Sequence, residues 1–160
     1  MDSQLLLRGK YTFRVGGRKQ VFVKKPVEHP RHVIMKALLW ALYVPLYPDL
    51  RIEMPIGCKY KPDLVQMGTE RPLFWGEAGH VGNQKLKRML KRFTKTHFAF
   101  AVWESPLKPM GTRARYLTRG IHRQAPIDLI RFPADAGSRF IDPRGSIRVR
   151  HQELEWQHLV

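Results

Sequence analysis

Two carboxylates, Asp63 and Glu77, lie in the stretch YKPDLVQMGTERPLFWGEAG, residues 60–79. Each sits on an apolar, strand-like run, where a charge is normally a liability. The chain has 29 Lys and Arg against 13 Asp and Glu, a formal net charge of +16, so acids are scarce. Pairing 60–67 with 72–79 as an antiparallel hairpin, with its turn centred on Glu70, sets Met67 against Leu73, Val65 against Trp75 and Asp63 against Glu77. Alternation then puts Lys61, Asp63, Val65, Trp75, Glu77 and Gly79 on one face. Opposed residues have Cβ atoms about 4.5–5.5 Å apart, and like charges at that spacing repel. Two such carboxylates can share a proton or a cation. A hard divalent ion, Mg²⁺ or Mn²⁺, accepts one or two carboxylates and keeps several waters, which supply a nucleophile for attack on a phosphate. The structural alternative is that Asp63 caps the turn after Pro62 and Glu77 pairs with a neighbouring Lys or Arg.

The elements that must position this pair follow from periodicity. Gly16-Gly17, between the alternating runs KYTFRV and KQVFVKK, predicts an N-terminal β-hairpin. Pro30 suits a first helical turn, and the run to Tyr43 is apolar on nearly every side, as in a buried helix. Its polar positions His32 and Lys36, four apart, share a stripe. LRIEMPI, KYKPDLVQM and PLFWGEAG read as three strands. NQKLKRMLKRFTK places Leu86, Met89, Leu90 and Phe93 on one side of a helix whose outer face is basic. THFAFAVWE and IDLIRFP are strands, and the segment from Phe140 to Leu159 is a closing hairpin or edge pair. Between Lys108 and Arg123 the Gly- and Arg-rich chain reads as a loop or a short, weak helix. The expected fold is α/β: a central mixed sheet flanked by helices, with an N-terminal hairpin and a C-terminal strand pair, in a single domain over 1–160.

The charge points to a polyanionic partner, nucleic acid ahead of anionic membrane. Six Lys or Arg with no acid lie between Ala78 and Trp103, namely Lys85, Lys87, Arg88, Lys91, Arg92 and Lys95. Lys108, Arg113, Arg115, Arg119 and Arg123 follow, again with no acid among them. Such residues can hold a phosphodiester backbone, giving affinity and salt dependence without sequence choice; for any one of them a solvated helix face is the alternative. Cys58, the single cysteine, excludes an internal disulfide and a multi-cysteine zinc site, and a reducing, cytoplasmic compartment is expected. No apolar run is long enough to span a membrane, no secretory signal is expected, and no Walker loop, dinucleotide fingerprint or Ser-His-Asp order is present. The four tryptophans fall in apolar patterns and read as core. His80 directly follows the Glu-Ala-Gly turn and sits near the pair or in plain loop. His151 and His158 flank a terminal strand and form no pair with another motif.

Pro62-Asp63, a short hairpin, Glu77-Ala78-Gly79 and a Lys-rich helix together resemble the PD-(D/E)XK nuclease superfamily, a restriction-endonuclease-like core. The order of elements over most of the chain is similar to its YaeQ-type branch: HP opening a helix, KPDL, FWGEAG, a basic helix, HFAFAVW and LIRFP. The resemblance implies that Asp63, Glu77 and the Ala78 carbonyl bind Mg²⁺ or Mn²⁺. The superfamily usually has Lys two positions after the Glu, where this chain has Gly79. Lys85, at the edge of the apolar face of the next helix, is the best substitute, with Lys87 on the opposite edge as runner-up. The helix before the hairpin often contributes a Glu; here that stripe offers His32 and Lys36 as accessory residues, with Glu28 just outside. His32 either orients a water or phosphate or is a partly buried histidine bonded to backbone.

Three readings stay open. One is a metal-dependent nuclease with Asp63, Glu77 and Lys85 as its chemistry and Lys87, Arg88, Lys91, Arg92, Lys95, Arg113 and Arg115 as its nucleic-acid contacts. Another is a nucleic-acid-binding module on the same fold without catalysis. The third is a basic adaptor that docks an acidic protein through the 85–123 surface.

Overall fold

In the computed structural model, which describes residues 9–160, Gly16 and Gly17 turn β1 (Gly9–Val15) back into β2 (Arg18–Lys24). Gly16 takes φ +55°, the left-handed conformation that a two-residue hairpin turn demands. The two strands form a sheet of their own. Helix α1 (Pro30–Tyr43) follows, with proline in its first turn and the His29 ring accepting from the Arg31 amide. Every residue from Val33 to Tyr43 is buried, because the main sheet covers one side of α1 and the hairpin another. Phe13 and Phe22 of the hairpin meet edge to face, and Phe22 packs in the same way on Trp40 of α1. This explains the helix's all-round apolar pattern.

The main sheet has the order β3 (Arg51–Ile52), β4 (Leu64–Met67), β5 (Pro72–Ala78), β6 (His97–Trp103), β7 (Ile127–Phe132) and β8 (Glu155–Leu159). The first three run antiparallel, β5 to β7 are parallel, and β8 closes the edge antiparallel to β7. Helices α2 (Asn83–Arg92) and α3 (Leu107–Leu117) make the crossovers from β5 to β6 and from β6 to β7. Alternation along the strands divides the core in two. Phe74, Ala78, Ala99, Ala101 and Ile130 face α1, whereas Trp75, Phe98, Phe100 and Leu129 face the layer of α2 and α3.

The predicted register holds at Val65–Trp75, and Leu64–Gly76 and Gln66–Phe74 keep it. Met67 departs from it: a bulge after Gln66 sets it against Pro72 rather than Leu73. Proline has no N–H for the ladder, so regular pairing stops there, and Gly68 N–H closes the turn on the Arg71 carbonyl at 2.7 Å. The strands expected over 50–56 and 59–67 are shorter than predicted, at two and four residues. Of the stretch 108–123, expected as a loop or a short, weak helix, the part up to Leu117 is helical and the rest is turn and irregular chain: α3 is an 11-residue helix with Pro106 at its N-cap and Pro109 in its first turn, where missing donors cost little. Leu107, Gly111 and Ala114 form its buried stripe, and Gly111 packs so close to Gln157 that a Cβ would collide with it. Of the segment 140–159, expected as a closing hairpin or edge pair, Glu155–Leu159 forms the edge strand β8, whose partner is β7. Between them lie α4 (Ala136–Phe140), a single bridge from Ile141 to Ile147 and a 3-10 turn at His151–Glu153.

Candidate metal centre and basic surface

The C-terminal end of β5 brings the two carboxylates together. Glu77 is buried on the α2 side of the sheet, where the Trp75 indole N–H donates to its Oε1 at 2.9 Å. Asp63, one residue before β4, accepts the Ala78 amide on Oδ2 at 2.8 Å, so its carboxylate rests against the backbone that follows Glu77. Burial and the adjacent Asp63 charge push Glu77 up to about 7, against which the Trp75 bond and Lys85 act only in part. Burial alone would raise Asp63 too, but His32 and the Ala78 amide outweigh it and hold Asp63 below the usual carboxylate range. One member of the pair is therefore ionised and the other holds its proton near neutrality, the signature of two buried carboxylates sharing a site.

Lys85, in the first turn of α2, places Nζ 3.3 Å from Glu77 Oε1, with its side chain still about a third exposed (31%). Its ammonium also lies 5.3 Å from the centre of the Tyr60 ring. The departure at Gly79 has a backbone cause: its φ is +94°, a conformation that L side chains rarely adopt. A lysine at 79 would be strained; the ammonium beside Glu77 is that of Lys85.

His32 and Lys36 also reach this end of the fold, in different states. Neither ring nitrogen of His32 bonds backbone: Nδ1 is 2.6 Å from Glu28 Oε2, and Nε2 stands 3.7 Å from Asp63 Oδ2. The Asp63 and Glu28 carboxylates raise its pKa despite burial. Lys36 is buried and fully committed, at 2.8 Å to Glu28 and 2.9 Å to Glu53, so it is a structural counter-ion rather than a free accessory group. Burial opposes its charge, and the two carboxylates more than restore it. Sequence reasoning missed Glu53. Its φ of +50° is unusual for a non-glycine residue, and its amide donates to the Asp63 carbonyl at 2.9 Å, fixing the chain beside the site. Among the described residues, no three His, Cys, Asp or Glu side chains are arranged to hold one metal ion. What the site offers is two carboxylates and the Ala78 backbone, a donor set of the kind Mg²⁺ accepts when it keeps most of its waters.

Lys87, Arg88, Lys91 and Arg92 are exposed along α2, with Lys95 exposed just beyond its end. Arg88, Lys91 and Arg92 border a recess floored by Cys58, Tyr60 and Phe93. Lys87 and Lys91 border another against the end of α3. Arg115 is exposed on α3, and Arg113 is half-buried with Nη1 3.2 Å from Asn83 Oδ1. Arg123 does not belong to this surface: its guanidinium donates to the carbonyls of Leu90, Phe93 and Thr96 at 2.8, 3.1 and 2.7 Å, capping the end of α2. Of the tryptophans, Trp40 and Trp75 are core, whereas Trp156 is exposed on β8 and Trp103 half-exposed.

A second polar cluster lies at the opposite end of the parallel strands and was not legible as a unit. Asp128 accepts from the Tyr43 hydroxyl at 2.6 Å and is bonded to His97 at 2.6 Å and to His158 at 2.5 Å. His151 extends the network, 3.2 Å from the Tyr43 hydroxyl. Burial would raise Asp128, but these partners hold it below the usual range. The available signal was a lone acid in the apolar strand IDLIRF, the same signal that singled out Asp63 and Glu77.

The fold is shared with YaeQ proteins. The structure of the YaeQ protein from Pseudomonas syringae superposes with a TM-score of 0.61 at 14% identity, covering 98% of this chain and 97% of that one. The YaeQ protein from Xanthomonas axonopodis pv. citri gives 0.57 at 12% identity, covering 91% and 83%. No family model and no curated protein matches the sequence. Among the described residues, no helix is long and apolar enough to cross a membrane.

Proposed function

We propose that the chain is a metal-dependent phosphodiesterase acting on nucleic acid, built on the PD-(D/E)XK plan. The observation that carries this reading is the buried pair: Asp63 ionised against the Ala78 amide, and Glu77 beside it raised to about 7. A fold does not keep two carboxylates in that relation for stability, because each opposes the charge of the other. Asp63, Glu77 and the Ala78 carbonyl would hold Mg²⁺ or Mn²⁺. The bound ion would lower the pKa of a water and offset charge gathering on a phosphate. Lys85, 3.3 Å from Glu77, orients the attacking water or neutralises a phosphate oxygen. His32 holds Asp63 in place, itself held by Glu28. The basic residues of α2, with Arg113 and Arg115, supply the phosphate contacts.

The order of elements supports the superfamily reading: α1, three antiparallel strands, α2, then a strand parallel to β5. A binding module without catalysis is the second reading, favoured by Gly79 at the usual lysine position and by the cationic groups of His32 and Lys85 standing 3.7 and 3.3 Å from Asp63 and Glu77, where a metal ion would compete with them. Single- and double-stranded DNA and RNA incubated with Mg²⁺ or Mn²⁺ test the first. Cleavage is expected to fall at least about a hundredfold in Asp63→Ala and Glu77→Ala, the order of a lost electrostatic contribution. Cleavage that survives intact in Asp63→Ala refutes it. Salt-sensitive binding with no cleavage, and no heat on Mn²⁺ titration that depends on Glu77, moves the assignment to the second.

A further inference from the structure

Immediately beyond the carboxylates lies a recess of about 410 Å³, which no motif in the sequence announces. Its size falls within the range of about 300–1,000 Å³ typical of small-molecule sites. Gly79 and His80, the residues that follow Glu77 and Ala78, form one side, and Arg31, the neighbour of His32, forms another. Val102, Trp103 and Met110 supply apolar wall, and no acidic residue lines it.

We infer that this recess holds one unpaired nucleobase next to the phosphate undergoing reaction, so that the substrate is single-stranded or frayed nucleic acid. The inference rests on the function proposed above for the substrate's class, and the pocket itself supplies the strand preference. Trp103 is the only tryptophan that makes neither a ring contact nor an indole hydrogen bond among the described residues. Trp40 packs on Phe22, Trp75 on Phe93 and Phe98, and Trp156 on His151. Trp103 packs in part against the core and in part lines the recess, and an aromatic side chain at the wall of a cationic recess is what base stacking uses, for any base. Arg113 also lines the recess, with its Nη1 3.2 Å from Asn83 Oδ1, and together with Arg31 supplies the positive charge that a phosphate next to the base would meet.

The backbone frames the opening. Glu104, next to Trp103, takes φ +59°, an uncommon conformation that turns the chain from β6 toward α3 at the rim. At Gly79 nothing lies within 4 Å of where a Cβ would be, so a nucleotide can approach the main chain there. A base inside a duplex is stacked and paired and cannot enter; it must be unpaired or pulled out first.

The test is fluorescence anisotropy of a labelled oligo(dT), single-stranded and annealed to oligo(dA), in EDTA so that no cleavage is needed. The single strand is expected to bind about tenfold tighter than the duplex. Trp103→Ala is expected to weaken single-strand binding about 5- to 20-fold and duplex binding less than about twofold. Trp103→Phe keeps the stacking face and stays within about threefold of wild type. Arg31→Glu, at an exposed first-turn position where a carboxylate suits the helix dipole, is expected to lose single-strand binding preferentially even if Trp103→Ala does not fold. Equal affinity for both strands, or single-strand binding unchanged in Trp103→Ala and Arg31→Glu, overturns the inference. Because binding is read without metal, strand preference with no cleavage would count against the nuclease reading alone, and cleavage without strand preference against the pocket alone.

Discussion

Glu77→Gln isolates the carboxylate pair by its effect on stability, without reference to catalysis. Glu77 is buried, and its pKa rises from the ordinary 4.5 to about 7 on folding. A carboxyl with a raised folded-state pKa binds its proton more tightly in the native than in the unfolded chain. It therefore contributes stability fully below about 4.5, and that contribution is lost as pH climbs through about 7. A tenfold difference in proton affinity corresponds to about 1.4 kcal/mol, so the linkage integral between pH about 5 and about 8.5 comes to about 2.5 kcal/mol. Glutamine keeps an oxygen for the Trp75 N–H and does not titrate. Urea unfolding across this range should show wild type losing about 2.5 kcal/mol relative to Glu77→Gln, whatever the other groups contribute to both curves. Millimolar Mn²⁺ at the upper end should restore much of the loss in wild type and little in the variant, since a ligand that binds only the native state stabilises it. A difference that does not change with pH would mean that Glu77 is not held in the repulsive site described here, and the metal argument would fail with it.

Other substitutions probe the surroundings. Gly79→Ala and Gly79→Lys should cost similar amounts, about 1–2 kcal/mol by thermal melting, because the penalty lies in the backbone at φ +94° and nothing stands within 4 Å of a Cβ there. Arg123→Met should lower stability by about 2–3 kcal/mol through the lost carbonyl bonds while leaving the salt dependence of nucleic-acid binding unchanged; a shallower salt slope would return Arg123 to the binding surface. Asp128→Asn should destabilise by about 2–3 kcal/mol at neutral pH. Its folded-state pKa lies below the ordinary 3.8, so this advantage of wild type is present above that value and fades as pH falls through the lower one, which acid unfolding of both proteins would reveal.

The parts of the fold that could be read were those where one periodic signal dominated. Pro30 and the apolar run set α1 at Pro30–Tyr43, and the glycine pair set the first hairpin. Centring a turn on Glu70 placed Val65 against Trp75 and so brought Asp63 beside Glu77. Helix α3 was obscured by Pro109 and Gly111, weak helix formers, although Leu107, Met110, Ala114 and Leu117 already carried a helical repeat. The Asp128 cluster draws on α1, β6, β7, β8 and the 3-10 turn, so no local pattern could assemble it. The roles of Lys36 and Arg123 depended on which partners lay within reach, and composition does not encode that. The basic run marked Arg123, and the polar stripe on α1 marked Lys36, as available to a ligand, whereas folding uses both internally.

The hairpin at the start of the described chain is fastened by its far end. Arg14 N–H donates to the Gly145 carbonyl and Ile147 N–H to the Arg14 carbonyl, at 2.8 and 2.7 Å. Gly145 approaches so closely that a Cβ there would run into the Thr12 carbonyl. During synthesis these hairpin strands emerge well before the segment they clasp, which follows some 130 residues later. Until then the outer side of α1, with Trp40, has only an unanchored two-stranded ribbon to shelter it, and such a ribbon is marginal by itself. Full shelter for this apolar helix face therefore waits on a contact of long sequence separation, of the kind that forms late in folding.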